Sequence, residues 1–136
     1  MRPFGVADEA RVIELWRACD LVVPWNDPAS DIAAKLAFQP ELMLVAELDT
    51  RLVATVMAGY EGHRGWINYL AVDPTLRRRG LGREMMAAAE LRLRELGCPK
   101  VNLQVRGTNR DVRAFYEQLG YSVDDAVSLG KRLDGR

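Results

Sequence analysis

The chain has 136 residues, 49% of them apolar, and a formal net charge of zero at pH 7. That length and composition suit one folded domain over 1–136 with a real core, and exclude a disordered chain. A balanced charge also excludes a nucleic-acid binder that relies on general electrostatics.

Residues 2 to 6 predict a short edge strand, weakened by Pro3 and Gly5. Asp8 is placed to cap a helix running to about Cys19, with Val12, Ile13, Trp16 and Cys19 on one face. A loop through Trp25 leads to Asp27 as N-cap and Pro28 as first residue of a second helix, ending near residue 38. Residues 42–48 and 52–58 then read as two strands of a hairpin turning at Asp49-Thr50-Arg51. Gly62-His63-Arg64-Gly65 turns the chain into a third strand, Trp66 to Val72, so the three form an antiparallel meander. A helix opened by Gly80 keeps Leu81, Met85, Ala89, Leu93 and Leu96 on one side, until Gly97 and Pro99 stop it. Residues 100–105 alternate as a strand, expected parallel to its predecessor because a helix separates them. A helix over about 110–119, with Val112, Phe115 and Leu119 inward, and two short strands near 121–123 and 127–133 complete the chain. The predicted order is β-α-α-β-β-β-α-β-α-β-β, an α/β chain with a mixed sheet and helices on its faces.

No window has the length of a membrane span, and Met1-Arg2-Pro3-Phe4 has no signal-peptide core, so a cytoplasmic protein is expected. Cys19 and Cys98 stand far apart without metal-ligand spacing and read as free, buried thiols. No metal and no membrane partner are expected.

Positive charge concentrates in one place. Arg77, Arg78, Arg79 and Arg83 surround Gly80-Leu81-Gly82, with no acid between Asp73 and Glu84. Sixteen of the 19 basic residues are arginine, the side chain better suited to bidentate phosphate contacts. The glycines let the backbone come close to a ligand, and a helix start offers unpaired N–H groups at the positive end of its dipole. Two familiar phosphate loops fail on spacing: no G-x-x-x-x-G-K-[ST] string occurs, and Met85 stands where the dinucleotide fingerprint needs Gly or Ala.

The remaining pattern, Arg77-x-x-Gly80-x-Gly82 after an apolar strand, resembles the R/Q-x-x-G-x-G/A motif of the GNAT superfamily of acyl-CoA N-acyltransferases. A second stretch, Asn109 to Tyr121, resembles that family's N-x-x-[AV]-x-x-[FL]-Y-E-x-L-G-[FY] motif. The two occur in the family's order, with a helix and a strand between them. Pro24-Trp25-Asn26-Asp27-Pro28, Gly62-His63-Arg64-Gly65-Trp66 and Gly130-Lys131-Arg132-Leu133 look like a bacterial acetyltransferase branch of uncertain substrate.

The resemblance implies a GNAT-like fold that moves an acetyl group from acetyl-CoA to a primary amine by direct attack in a ternary complex. It implies a pyrophosphate cradle at Arg77, Arg78, Arg79, Gly80, Leu81, Gly82 and Arg83. It implies backbone contacts to the thioester and pantetheine arm along Leu70, Ala71 and Val72, with Asn109 also on the pantetheine side. Tyr116 would support the leaving thiolate and touch the cofactor. Many relatives carry a glutamate base on the central strand, but Trp66-Ile67-Asn68-Tyr69 stands there. Glu61 is the nearest substitute and is named as the catalytic base, with His63 or a water chain as alternatives. Asp27, Asp31 and Trp25 could receive a cationic acceptor. The expected partners are acetyl-CoA and a small-molecule amine, and the chain would act as a monomer or homodimer. The alternatives are acetylation of a protein N-terminus or lysine, a non-catalytic acyl-CoA-binding module, and an unrelated α/β domain with a basic loop.

Overall fold

The computed structural model describes residues 1–135. They divide into two compact units, Met1–Gln104 and Val105 onward, taken here in turn.

The first unit is a five-stranded sheet in the order β1-β2-β3-β4-β5, with β1 Arg2–Pro3, β2 Met43–Leu48, β3 Arg51–Tyr60, β4 Gly65–Val72 and β5 Val101–Leu103. Neighbours are antiparallel except β4 and β5, which run parallel because a helix connects them. Helices α1 Glu9–Ala18 and α2 Pro28–Leu36 cover one face, and α3 Leu81–Glu95 packs on β3 and β4. On the first face Val12, Trp16, Ile32, Met43, Val45 and Ala71 form one buried cluster. Met85, Met86, Ala89 and Leu93 bury the inner side of α3. Each large side chain buried this way stabilises the fold by about 1.5–3 kcal/mol.

Asp8 does not cap α1. Its carboxylate turns back to accept the Gly5 N–H at 2.9 Å and binds the guanidinium groups of Arg2 and Arg11, closing a 3-10 turn over Val6–Asp8. Two cations within reach outweigh one backbone cap. Asp27 does cap α2, accepting from the Ala29 N–H at 3.1 Å with Pro28 at the first helical position. Leu96, expected on the inner side of α3, is half exposed, since it follows the last helical turn. Gly65 opens β4 where a Cβ would lie 2.8 Å from Cys98 Sγ, so a side chain there would push β4 from the α3–β5 connection. Cys19 and Cys98 are free and only partly buried. No helix among the described residues is long and apolar enough to cross a membrane.

The second unit carries α4, Arg110–Gln118. Its buried residue is Tyr116, whereas Val112, expected inward, is exposed. Neither strand expected near 121–123 and 127–133 forms among the described residues. Val123, Val127, Leu129 and Leu133 are all largely exposed there. Their alternation matches a strand, but a strand also needs a paired ladder, and Asp124-Asp125 and Gly130 break the run.

The β2–β3 hairpin turns on Asp49 and Thr50, both left-handed with φ of 51° and 68°, the geometry of a type I′ turn. A β-branched residue is strained there and glycine is not. Thr50→Gly is therefore expected to raise stability by about 0.5–1 kcal/mol. Chemical denaturation should show a higher midpoint at unchanged slope.

Candidate active site

The sheet is interrupted at one point of β4. Tyr69 sits in the left-handed region with φ of 50°, and the β3–β4 register shifts between Thr55 and Met57. Tyrosine does not take that conformation unaided, so its surroundings must impose it. Buried Thr55 does so from β3: its Oγ1 accepts the Trp16 indole N–H at 2.9 Å and donates to the Tyr69 carbonyl at 3.0 Å. The Tyr69 ring stacks on Trp16 with centroids 3.8 Å apart and planes 11° apart. Its hydroxyl donates to Asp31 Oδ2 at 2.5 Å. Burial, then the Asp31 carboxylate, raises the Tyr69 phenol well above its ordinary range, so it is no base at neutral pH.

Beyond this bulge β4 has a free edge. Pairing with β5 ends at Ile67 opposite Leu103, so among the described residues of the first unit no strand pairs with the outer edge of Asn68–Val72. On the inner edge the Asp73 N–H donates to the Val53 carbonyl at 2.8 Å. Alternation along an extended strand then directs the N–H groups of Leu70 and Val72 outward, with that of Ala71 toward β3. The sequence-predicted strand residues therefore offer donors to a ligand lying along β4.

The chain leaves β4 through Asp73, which caps a 3-10 turn over Pro74–Leu76 and pairs with Arg51 at 2.5 Å. Leu76 is buried and anchors the loop. Arg77, Arg78 and Arg79 are exposed, and Gly80 precedes α3 with a left-handed φ of 81° that suits glycine. Leu81 and Gly82 are the first two residues of α3, with Arg83 on its first turn. None of these four arginines pairs with an acid among the described residues. Four free guanidinium groups thus surround a helix start of 15 residues' dipole, a place of strong positive potential.

On the α1–α2 face, the other end of β4 opens a cavity of about 200 Å³. Met57, Trp66 and Phe38 supply apolar walls, and Lys35, Glu61 and Asn68 reach its lining. Gln39 sets the position of the α2 end, because its side chain pairs with both backbone groups of Tyr60 at 2.8 Å. Glu61 has a plain structural task as well: its Oε1 accepts the backbone N–H groups of His63 and Arg64 and closes the β3–β4 turn. His63 is exposed in that turn and does not line the cavity. Asp31 is committed to Tyr69, Asp27 to its helix cap, and Trp25 is half exposed in the loop before α2. The three are not part of the cavity lining.

In the second unit Asn109 caps α4, its Oδ1 accepting the Val112 N–H at 3.2 Å. Tyr116 lies two turns along, 9% exposed, with edge-on contacts to the rings of Phe115 and Tyr121. Burial pushes its phenol up to about 12. Its hydroxyl makes no hydrogen bond to any described residue.

Three residues at this site escape sequence reasoning. Thr55 is the one hydroxyl in the apolar run Leu52–Ala58, and Lys35 falls three residues after buried Ile32, where an apolar residue belongs. Those are weak signals, and Gln39 carries none.

The model of the Acetyltransferase (GNAT) family matches residues 10–121. The chain belongs to the GNAT acetyltransferase family. As expected of a member, this acetyltransferase is 47% identical to an acetyltransferase of Yersinia enterocolitica over 133 residues, 98% of this chain and 94% of that protein. It is 48% identical over 134 residues to an acetyltransferase of Sodalis glossinidius, with the same coverages, 98% and 94%. The fold is shared with an aminoglycoside antibiotic 6'-N-acetyltransferase of Acinetobacter haemolyticus, at a TM-score of 0.74 and 20% identity, covering 98% of both chains. Naa20 of Chaetomium thermophilum, solved in complex with a bisubstrate analogue, superposes at a TM-score of 0.72 with 25% identity, covering 90% of this chain and 70% of that one.

For this acetyltransferase the β4 bulge can be tested without touching a reacting group. Thr55→Val keeps the shape but removes both hydrogen bonds, leaving a buried indole N–H and a carbonyl unpaired. A stability loss of about 2 kcal/mol or more is expected by denaturation. Turnover should fall in the folded variant as well, because β4 loses its imposed shape.

Proposed function

We propose that this GNAT acetyltransferase transfers the acetyl group of acetyl-CoA to a primary amine of a small molecule, in one ternary complex. The observation that carries the reading is the free edge of β4 at Leu70–Val72, which leads straight into an arginine-glycine loop at a helix start. Arg77, Arg78, Arg79, Gly80, Leu81, Gly82 and Arg83 hold the pyrophosphate. Leu70 and Val72 donate backbone hydrogen bonds to the thioester and pantetheine arm, and Ala71 packs behind them as part of the core. Asn109 contacts the pantetheine side. The family match runs from residue 10 to 121 and so crosses both units, which supports a single N-acetyltransferase domain over 1–136.

In the chemical step the amine nitrogen forms a bond to the thioester carbon, the oxyanion is met by a β4 N–H, and the C–S bond breaks. The amine's proton leaves to Glu61, the carboxylate that lines the cavity beside Asn68. Tyr116 donates a hydrogen bond to the departing sulfur. With its phenol at about 12 against a thiol near 8.5, complete proton transfer would cost about 5 kcal/mol. Hydrogen-bond donation as charge develops is therefore its task. The raised value also keeps the phenol protonated across the physiological range, so turnover should show no loss from Tyr116 ionisation below pH 10.

Two variants test the assignment together. Gly82→Val should abolish calorimetric binding of acetyl-CoA in a folded protein, whereas Tyr116→Phe should bind it normally and lose about 10²-fold in kcat. Unchanged affinity in the first, or full turnover in the second, would remove that residue from the mechanism.

A further inference from the structure

Lys35 is the one lysine that the fold buries, and nothing so far gives it a task. Its side chain leaves the inner side of α2 and is 7% exposed. The ammonium lies 3.6 Å from the position a Cβ would take on Gly59, and 5.6 Å from the centre of the Phe38 ring. No hydrogen bond or ion pair to a described residue reaches it. Glu41 acts on it only through space, and Glu61, in the same cavity, is held in the β3–β4 turn by two backbone N–H groups. Burial accordingly lowers its pKa, with Glu41 opposing the shift.

The ammonium faces the Phe38 ring but no paired anion among the described residues, so its desolvation weighs against the charged form unless an anion in the cavity offsets it. The apolar residue expected on that side of α2 would have been the cheaper choice for stability alone. The cavity that Lys35 reaches is walled by Met57, Trp66 and Phe38, and its open side meets Asn68, next to the β4 bulge. Its lining therefore combines one cation without an ion pair among the described residues, apolar and aromatic walls, and a carboxylate at the far end of β3. That combination complements a molecule with a negative group at one end, an apolar body and an amine.

We propose that Lys35 binds the carboxylate of the amine acceptor, and that the acceptor is a small amino acid-like molecule with an apolar side chain. This assignment deepens the small-amine reading and rests on it for the reaction, though carboxylate binding can be measured without turnover. A phosphate monoester fits less well, because a dianion needs several donors and the lining offers a single cation.

The test begins with binding, without turnover. Calorimetry on the wild-type protein would compare N-acetyl-leucine, N-acetyl-methionine and N-acetyl-phenylalanine, each against its own carboxamide. At least one acid should bind ten-fold or more tighter than its amide, and that preference should vanish in Lys35→Met. The same variant should keep its acetyl-CoA affinity and melt higher, since it loses a desolvated charge; a structural lysine would make it melt lower. A variant-free measurement stands beside it: reductive methylation read by mass spectrometry should be slowed by the bound acid at Lys35, and at neither Lys100 nor Lys131. Equal binding of acids and amides, a preference that survives Lys35→Met, or tighter binding of O-phosphoethanolamine would overturn the proposal. A wild-type protein that shows the acid preference but does not bind acetyl-CoA would instead refute the reaction and leave the carboxylate site standing.

Discussion

The hydroxyl of Thr55 is the interaction on which the site depends. An antiparallel pair continued to its end would leave β4 flat, and a parallel neighbour would consume its outer donors. Thr55 prevents that by holding the Tyr69 carbonyl from below while the Trp16 indole holds Thr55. Stacking on Trp16 and the bond to Asp31 fix the Tyr69 ring from the helical side. The left-handed backbone at Tyr69 is thus over-determined by α1, α2 and β3 together. Such a residue costs about 1–3 kcal/mol of strain, which four contacts offset.

In the proposed scheme three parts of β4 serve three different chemical needs. Along the outer edge of β4 the need is for backbone donors, and the break from β5 supplies them without any special side chain. At the end of β4 the need is for positive charge, and the loop supplies arginines that no acid neutralises among the described residues. At its start the need is for a shaped apolar space, and Trp66, Met57 and Phe38 supply it. A single strand therefore connects a proposed donor site with a proposed acceptor site. In that scheme the bulge sets the angle between the acetyl group and the amine, which is where positional error is most costly.

Much of this was legible from residue order. Gly80 before a run of good helix formers marked the start of α3, and Asp27-Pro28 marked that of α2, because capping chemistry is local. The meander was readable from alternation and the two hairpin turns. The failures share a cause. Asp8 looked like a cap, but Arg2 of β1 and Arg11 of α1 itself claim its carboxylate. Val127, Leu129 and Leu133 alternate like a strand, yet a strand exists only with a partner edge. The last helix read with Val112, Phe115 and Leu119 inward, although Tyr116 is the side chain that α4 buries. Thr55 and Lys35 could not be singled out, since their meaning lies in Tyr69 and Gly59, which only the fold brings near.

The central claim is that the bulge frees the outer donors of β4 for the acyl donor. Amide hydrogen exchange at single residues, followed by NMR with and without acetyl-CoA, addresses it directly. The amides of Leu70 and Val72 should exchange fast in the free protein and become strongly protected when acetyl-CoA is bound, while that of Ala71 stays protected throughout. Exchange at Leu70 and Val72 that is unaltered by saturating acetyl-CoA would contradict the account.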